Sequence, residues 1–291
     1  MKITIFGGSG FVGRVLVQKL LAAGHSVRVV SRKAALQPTA YEITNADPYD
    51  PEQRRACMRN QDAVINLIGI LQGNEAAFYR AHATLAENLA QACLDESVPL
   101  FLHMSALHAD PQGVSMYLRS KGMGAERVHA LASERLRVVS FHPSVIFGTE
   151  DNFLNQFATL LRYSPGMMML PGAKARFAPV YVGDVADAFV RALDDATMRP
   201  RINLCGPQDY SLQELVELTA HWSGHKRLVV PMPNIMARVV ASMMSVLPNP
   251  PLSHDNLDSM RIDSVCASGE ARQPTALETI APTYLAAKKL T

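Results

Sequence analysis

Three glycines, Gly7, Gly10 and Gly13, constrain this chain more than any other feature, because they stand between a short apolar run and an amphipathic one. Lys2 to Phe6 is β-branched and aromatic, and it reads as a buried strand that stops at glycine. Val12, Leu16, Leu20 and Leu21 then share one helical face up to Gly24, and Val27 to Val30 reads as a second strand. Strand, glycine turn, helix and strand is the context in which the spacing G-x-x-G-x-x-G acquires meaning. Gly7 permits the tight turn. Gly10 has no Cβ, so backbone can approach a pyrophosphate. Gly13 lets the helix lie close to the sheet. The N–H groups of the turn and helix start, Ser9, Phe11 and Val12 among them, are then available to an anion.

The end of the second strand bears on the choice of dinucleotide. A carboxylate there would hydrogen-bond a ribose 2′-hydroxyl, but the sequence has Ser31, Arg32 and Lys33. Two cations suit a 2′-phosphate, so NADP(H) is favoured and NAD(H) stays open. The plainer alternative is a solvated basic loop. Tyr41 to Thr44 reads as a weak third strand, followed by Asp47 and Pro48 where such folds wall the adenine. Asp62 to Gly69 is a buried strand whose end, Leu67, Ile68 and Gly69, falls at the edge where a cofactor would lie.

Further along, Ala76 to Glu96 predicts one long helix, Leu100 to Met104 a strand, Tyr117 to about Ala132 a helix, and Leu136 to Phe141 a strand. Alternating strands and helices predict an α/β fold, a Rossmann-type doubly wound parallel sheet. A smaller, mostly helical C-terminal region would form the substrate side. The expected boundaries place residues 1–148 and 179–205 in the dinucleotide-binding domain, and 149–178 with 206–291 in the smaller region. Within that region a helix is expected to be capped near Gly183 and Asp184, and another to start at Ser211.

Composition narrows the function classes. Hydrophobic residues make up 48% and charged residues 19%, which excludes a disordered chain. Lys+Arg 28 against Asp+Glu 26 gives +2, too balanced for a dedicated nucleic-acid binder. Cysteines 57, 93, 205 and 266 form no C-x-x-C pair and suit no zinc module, so they are expected to be thiols in a reducing compartment. Nothing before the first strand reads as a targeting segment, and no apolar stretch reaches the ~20 residues that span a bilayer. The expected location is cytoplasmic, with attachment to the surface of the inner membrane as an alternative.

Chemistry is suggested by Tyr117 and Lys121, one helical turn apart, with Ser105 just past a strand end twelve residues earlier. Tyrosine would act as acid or base on a substrate oxygen. Lysine would lower the phenol pKa and hold the nicotinamide ribose, and serine would hydrogen-bond the substrate oxygen. Alone, Y-x-x-x-K is more often an ordinary helix-surface pair. Behind a dinucleotide turn the reading reverses.

These residues, with Asn66 to Gly69 and the stretch from Pro143 through Val145 to Gly148, resemble the atypical extended short-chain dehydrogenase/reductases. The stretches Tyr117 to Lys121, Phe153 to Ala158 and Pro179 to Val185 are similar to the dinucleotide-binding accessory subunit of respiratory complex I and its bacterial relatives. The resemblance covers nearly the whole chain and weakens after about residue 225. It implies a Rossmann-type fold with tightly held NADPH, contacted also by Pro143 and Val145. In the respiratory subunit the nucleotide is structural. That subunit lacks the serine, whereas this chain keeps Ser105, Tyr117 and Lys121. His82 stands where many extended members have asparagine and is expected on the helix surface or as pocket lining, without a role.

Two functions follow. One is an oxidoreductase on a small apolar carbonyl or quinone-like substrate. The other is a non-catalytic NADPH-holding assembly or sensor protein. No metal site is expected: His221 and His225 are four apart, but Gly224 ends the helix between them. From Asn234 to Leu247, Ile235, Met236, Val239, Val240, Met243, Met244 and Leu247 share a helical face. That face would pack over a substrate cleft or, alternatively, contact a respiratory complex or membrane surface. Oligomeric state is not encoded in these motifs.

Overall fold

The first strand, β1, spans Lys2–Phe6, with Ile3, Ile5 and Phe6 inaccessible to solvent. Its β-branched and aromatic side chains suit a strand covered on both faces. The computed structural model describes residues 1–32, 40–245 and 252–286. After β1 come α1 (Phe11–Ala22), β2 (Ser26–Ser31), β3 (Glu42–Asn45), α2 (Pro51–Met58) and β4 (Ala63–Asn66). The long helix expected over 76–96 is instead α3 (Glu75–Tyr79), a π-helical turn (Arg80–Thr84) and α4 (Leu85–Asp95) in succession. A π-turn inserts one residue per turn, a change that apolar periodicity over so few residues does not reveal. β5 (Leu100–Met104), α5 (Met116–Ala130) and β6 (Arg137–Pro143) follow.

The chain then forms β7 (Ile146–Phe147), α6 (Leu154–Tyr163), β8 (Met167–Leu170), β9 (Arg176–Phe177) and β10 (Val180–Tyr181), before α7 (Val182–Asp194) and β11 (Arg201–Leu204). It ends with β12 (Tyr210–Ser211), α8 (Leu212–Ser223), β13 (Leu228–Pro231), α9 (Asn234–Met244), α10 (His254–Ser259) and α11 (Leu277–Leu285). Two compact units result: residues 1–142 with 185–202, and residues 143–184 with 203–291.

The large sheet has the order β11-β6-β5-β4-β1-β2-β3, and β1 to β6 pair in parallel. This is the doubly wound Rossmann arrangement. The order reverses beside β1, which carries β4 on one side and β2 on the other, so a crevice opens at the carboxyl end of β1. In the first unit Phe6, Val64, Leu89, Phe101 and Val128 form one apolar layer. Elsewhere in that unit Phe141 packs on Phe189 with ring centroids 4.0 Å apart.

In the second unit, α6, α8 and α11 enclose Leu154, Ala158, Leu215 and Ala281. Ser211 caps α8 in a reciprocal box with Glu214, and Gly224 ends the helix at φ +75°. Asp184 differs from its expected capping role: α7 begins at Val182, and the Asp184 carboxylate accepts the Thr275 N–H and hydroxyl at 3.0 and 2.8 Å. The cysteine expectation is corrected for one pair, since Cys205 and Cys266 form a disulfide. They are 61 residues apart, a span that leaves no local signature. Cys57 and Cys93 are buried thiols. Among the described residues no helix is long and apolar enough to cross a membrane.

Candidate functional site

The glycine turn divides its tasks residue by residue. Gly7 has φ +86°, and a Cβ there would lie 3.0 Å from the Leu67 carbonyl carbon and 3.1 Å from the Ile68 nitrogen. Glycine thus lets the ends of β1 and β4 meet. Gly13 is tighter: a Cβ would collide with the Gly7 carbonyl oxygen and the Gly8 Cα, so α1 rests on the turn itself. At Gly10 an added Cβ would meet only the Gly7 oxygen, at 3.2 Å, and otherwise point into open space. Gly8, passed over in the sequence, abuts the methyls of Val29 on β2.

The N-terminus of α1 has no side-chain cap and no acidic residue in its first turn. The orphan N–H groups near Phe11 and Val12 therefore remain available, beside the exposed Ser9. Open approach at Gly10 and an uncapped helix start fit a dinucleotide pyrophosphate. Arg14 donates to the Ser9 carbonyl at 2.6 Å and braces the turn from the helix side.

The other expected contacts of the first unit follow the ends of β2, β3 and β4. Arg32 is exposed at the end of β2, and Lys33 lies outside the described residues. Asp47 is exposed, accepts the Tyr49 N–H at 3.0 Å and donates its own N–H to Gln53 at 2.9 Å. Pro48 is buried, its carbonyl accepting from Arg54. Leu67 donates to the Phe6 carbonyl, Ile68 to the Asn66 side chain and Ile70 to His82 Nε2, so the backbone on either side of Gly69 is fixed. Pro143 and Val145 belong to the second unit, where the Val145 carbonyl accepts from Val180 at 2.9 Å.

Ser115 caps α5 by accepting from Leu118, which sets Tyr117 and Lys121 on successive turns. Lys121 is buried, and its ammonium donates to the Met104 carbonyl at 3.0 Å. A Cβ on Gly69 would lie 3.1 Å from that nitrogen, so β4's end, β5's end and α5 converge there. Ser105 Oγ donates to the Lys121 carbonyl at 3.4 Å. The Tyr117 ring stands edge-on to His82 and Phe78, at 5.6 and 6.2 Å. Burial pushes the Tyr117 phenol up to about 12 and the Lys121 ammonium down to about 8. The phenol is thus shifted upward by burial, where a lowering was expected.

His82 is neither at the surface nor idle. It is buried in the π-turn, accepts the Ile70 N–H on Nε2 at 2.9 Å, and so carries its proton on Nδ1, 2.8 Å from Ser120 Oγ. Ser120 in turn donates to the Tyr117 carbonyl at 2.9 Å. Burial, with the nearby Lys121 charge, holds His82 neutral, its pKa lowered to about 2. Gly124 on α5 has no Cβ to strike the His82 carbonyl, so the π-turn lies directly on α5. Gly124 and a histidine in an apolar helix face were the available sequence signals, but their pairing is a tertiary fact.

A glycine turn at the reversal point of a parallel sheet, with an uncapped helix behind it, defines a Rossmann-type dinucleotide-binding protein. A profile of the NAD dependent epimerase/dehydratase family matches residues 3–205, and the chain belongs to that family. It is 30% identical over 265 residues to the mitochondrial NADH dehydrogenase [ubiquinone] 1 alpha subcomplex subunit 9 of Arabidopsis thaliana, covering 85% of this chain and 65% of that protein. The chain thus spans a little less than two thirds of that relative. It is 26% identical over 265 residues to the ceramide reductase of Caulobacter vibrioides, covering 86% and 80%. The X-ray structure of Pal from Bacillus thuringiensis shares the fold, with a TM-score of 0.76, 20% identity and 99% of both chains covered.

Proposed function

We propose that this chain is an NADP(H)-dependent reductase of a small apolar carbonyl or quinone-like substrate. The observation that carries the reading is Tyr117, one turn before a buried Lys121 and with its phenol held in the protonated form by burial. A phenol with a pKa near 12 is a proton donor at neutral pH, which suits reduction better than oxidation. The nicotinamide, when bound, supplies the hydride. Tyr117 gives its proton to the substrate oxygen, and Ser105 turns its hydroxyl from the Lys121 carbonyl to hydrogen-bond that same oxygen. Lys121, at the Gly69 edge, holds the nicotinamide ribose and supplies positive charge beside the phenolate that forms. The Gly7 to Gly13 turn binds the pyrophosphate, Asp47 and Pro48 border the adenine, and Arg32 with Lys33 favours a 2′-phosphate. Similarity to a protein named as a ceramide reductase supports reduction of an apolar substrate.

The test is NADPH oxidation against a panel of quinones and apolar carbonyls. Tyr117→Phe should lower turnover about a hundredfold or more while leaving NADPH affinity nearly unchanged. The wild-type rate should fall as pH rises through about 8, where Lys121 loses its charge. Turnover indifferent to Tyr117→Phe removes Tyr117 from the mechanism. A second reading, favoured by the 30% identity to a complex I subunit, is an NADPH-holding assembly or sensor protein that contacts a respiratory complex. Absence of turnover with every acceptor, together with stoichiometric NADPH surviving purification, selects it.

A further inference from the structure

Helix α9 buries only its alanines, Ala237 and Ala241. The larger apolar side chains face outward: Ile235 is 83% exposed, Val239 55% and Met243 72%, while Leu247 lies outside the described residues. Positions 235, 239 and 243 are four apart and form a stripe along one side of the helix. The expectation that this apolar face packs over a cleft is therefore corrected, because alanines make the closer contact and leave the stripe bare. A contiguous bare stripe marks an interaction surface rather than a random exposed residue.

A second feature begins at the same helix. A cavity of about 520 Å³ opens beside Pro233 and Asn234, at the start of α9, and its charged lining is Lys174, Arg238 and Arg261. Among the described residues no carboxylate lines it. Arg238 is paired with Asp258 at 2.9 Å. Lys174 and Arg261 have no side-chain partner among the described residues. Uncompensated cations converging on one cavity call for an anion. Arg238 belongs to both features, since it lines the cavity and sits on α9 between Ile235 and Val239.

We infer that the second unit docks on an anionic phospholipid surface, with a headgroup phosphate in the Lys174, Arg238 and Arg261 cavity and the Ile235, Val239 and Met243 stripe in the acyl boundary. Charge and polarity together select this occupant. A free phosphate would satisfy the cations and leave the stripe in water. A second copy of the chain would cover the stripe and leave the cations uncompensated. An anionic amphiphile meets both, because interfacial binding sums buried apolar area and attraction to anionic headgroups. The inference is independent of the proposed reaction.

The experiment is flotation of the full chain with phosphatidylcholine vesicles, with and without phosphatidylglycerol. Wild type should float only with the anionic vesicles, and high salt should weaken it. Lys174→Gln with Arg261→Gln should lower partitioning about thirtyfold, from ~1 kcal/mol per cation near the surface. Val239→Ser with Met243→Ser, both at exposed positions, should weaken it comparably while melting temperature and NADPH binding stay as in wild type. Inorganic phosphate at millimolar concentration should not compete. Three results overturn the inference. One is equal binding to neutral and anionic vesicles, or none to either. Another is competition by phosphate with the serine variant binding as wild type, which makes the cavity a soluble-anion site. The last is a wild-type dimer in sedimentation that the serine variant dissolves, without vesicle binding.

Discussion

The unit built on β1 to β6 ties its interior together through buried, neutral histidines, whereas the unit built on α6, α8 and α11 holds its loops with a disulfide and carboxylate anchors. In the first, the His142 Nδ1–H donates to the Ala106 carbonyl, so its Nε2 accepts from Ser140, which accepts from His129 Nε2. His103 meets Asn66 at 3.2 Å, and His82 joins the Gly69 edge to α5. In the second, Asp151 accepts from Tyr284 at 2.7 Å, Asp184 from Thr275, and Ser144 donates to the Ser264 carbonyl at 2.6 Å. Regular parallel pairing holds the first unit together, and its polar interior tunes charge states. The second unit has strands of only two residues at β7, β9, β10 and β12 and one four-residue pairing, β8 with β13, so long-range side-chain ties supplement short ladders. The two should therefore fail under different insults.

The largest effect should come at the glycine turn. Gly10→Val places a side chain in the open approach but strikes only one backbone atom, so it should abolish dinucleotide binding by calorimetry with little change in melting temperature. Undiminished NADPH affinity in the folded variant would falsify the assignment of the turn. Next, Cys205→Ser with Cys266→Ser should destabilise the second unit by ~4 kcal/mol, from the entropy of a loop closed across 61 residues. Hydrogen exchange should quicken in α8 and α11 and not in β1 to β6. Quickening in both alike would erase the contrast.

Acid should act in the opposite place. The folded pKa values of His82 and His142 lie below their unfolded value near 6.5, at about 2 and about 4, because burial disfavours the cation. Unfolding therefore takes up protons as pH drops below 6.5, and stability is lost with falling pH by up to ~1.4 kcal/mol per unit for each histidine. Exchange of β5 and β6 amides at pH 5.5 against pH 7.5 reads this, and a faster acid response in α8 would break the comparison. The smallest effect concerns cofactor choice. Arg32→Asp should weaken NADPH about tenfold more than NADH, by removing a cation and adding a like charge to the 2′-phosphate. Equal weakening in paired titrations makes Arg32 a plain loop cation.

Several elements are legible in the sequence because their cause is local. Lys2 to Phe6, the three glycines, the α5 pair Tyr117 and Lys121, the Ser211 cap and the Gly224 stop each follow from period, missing Cβ atoms or a side chain bonding its own backbone. The alternation of strands and helices then restricts the sheet to a parallel Rossmann order. The π-turn at Arg80 to Thr84 was not legible, because it packs on Gly124 of α5 and His82 bonds Ile70, 12 residues away, and Ser120, 38 residues away.

Sequence alone thus determined the fold, the dinucleotide turn and which residues stand near one another along a single element. Tertiary structure decided what depends on desolvation and on long-range meeting. Burial raises the Tyr117 phenol to about 12 and lowers the Lys121 ammonium to about 8. Chain crossing joins Cys205 to Cys266, and alanine packing turns the apolar side of α9 outward. Hydrophobic period reports that a helix has two faces, but the neighbour that fits determines which face is covered.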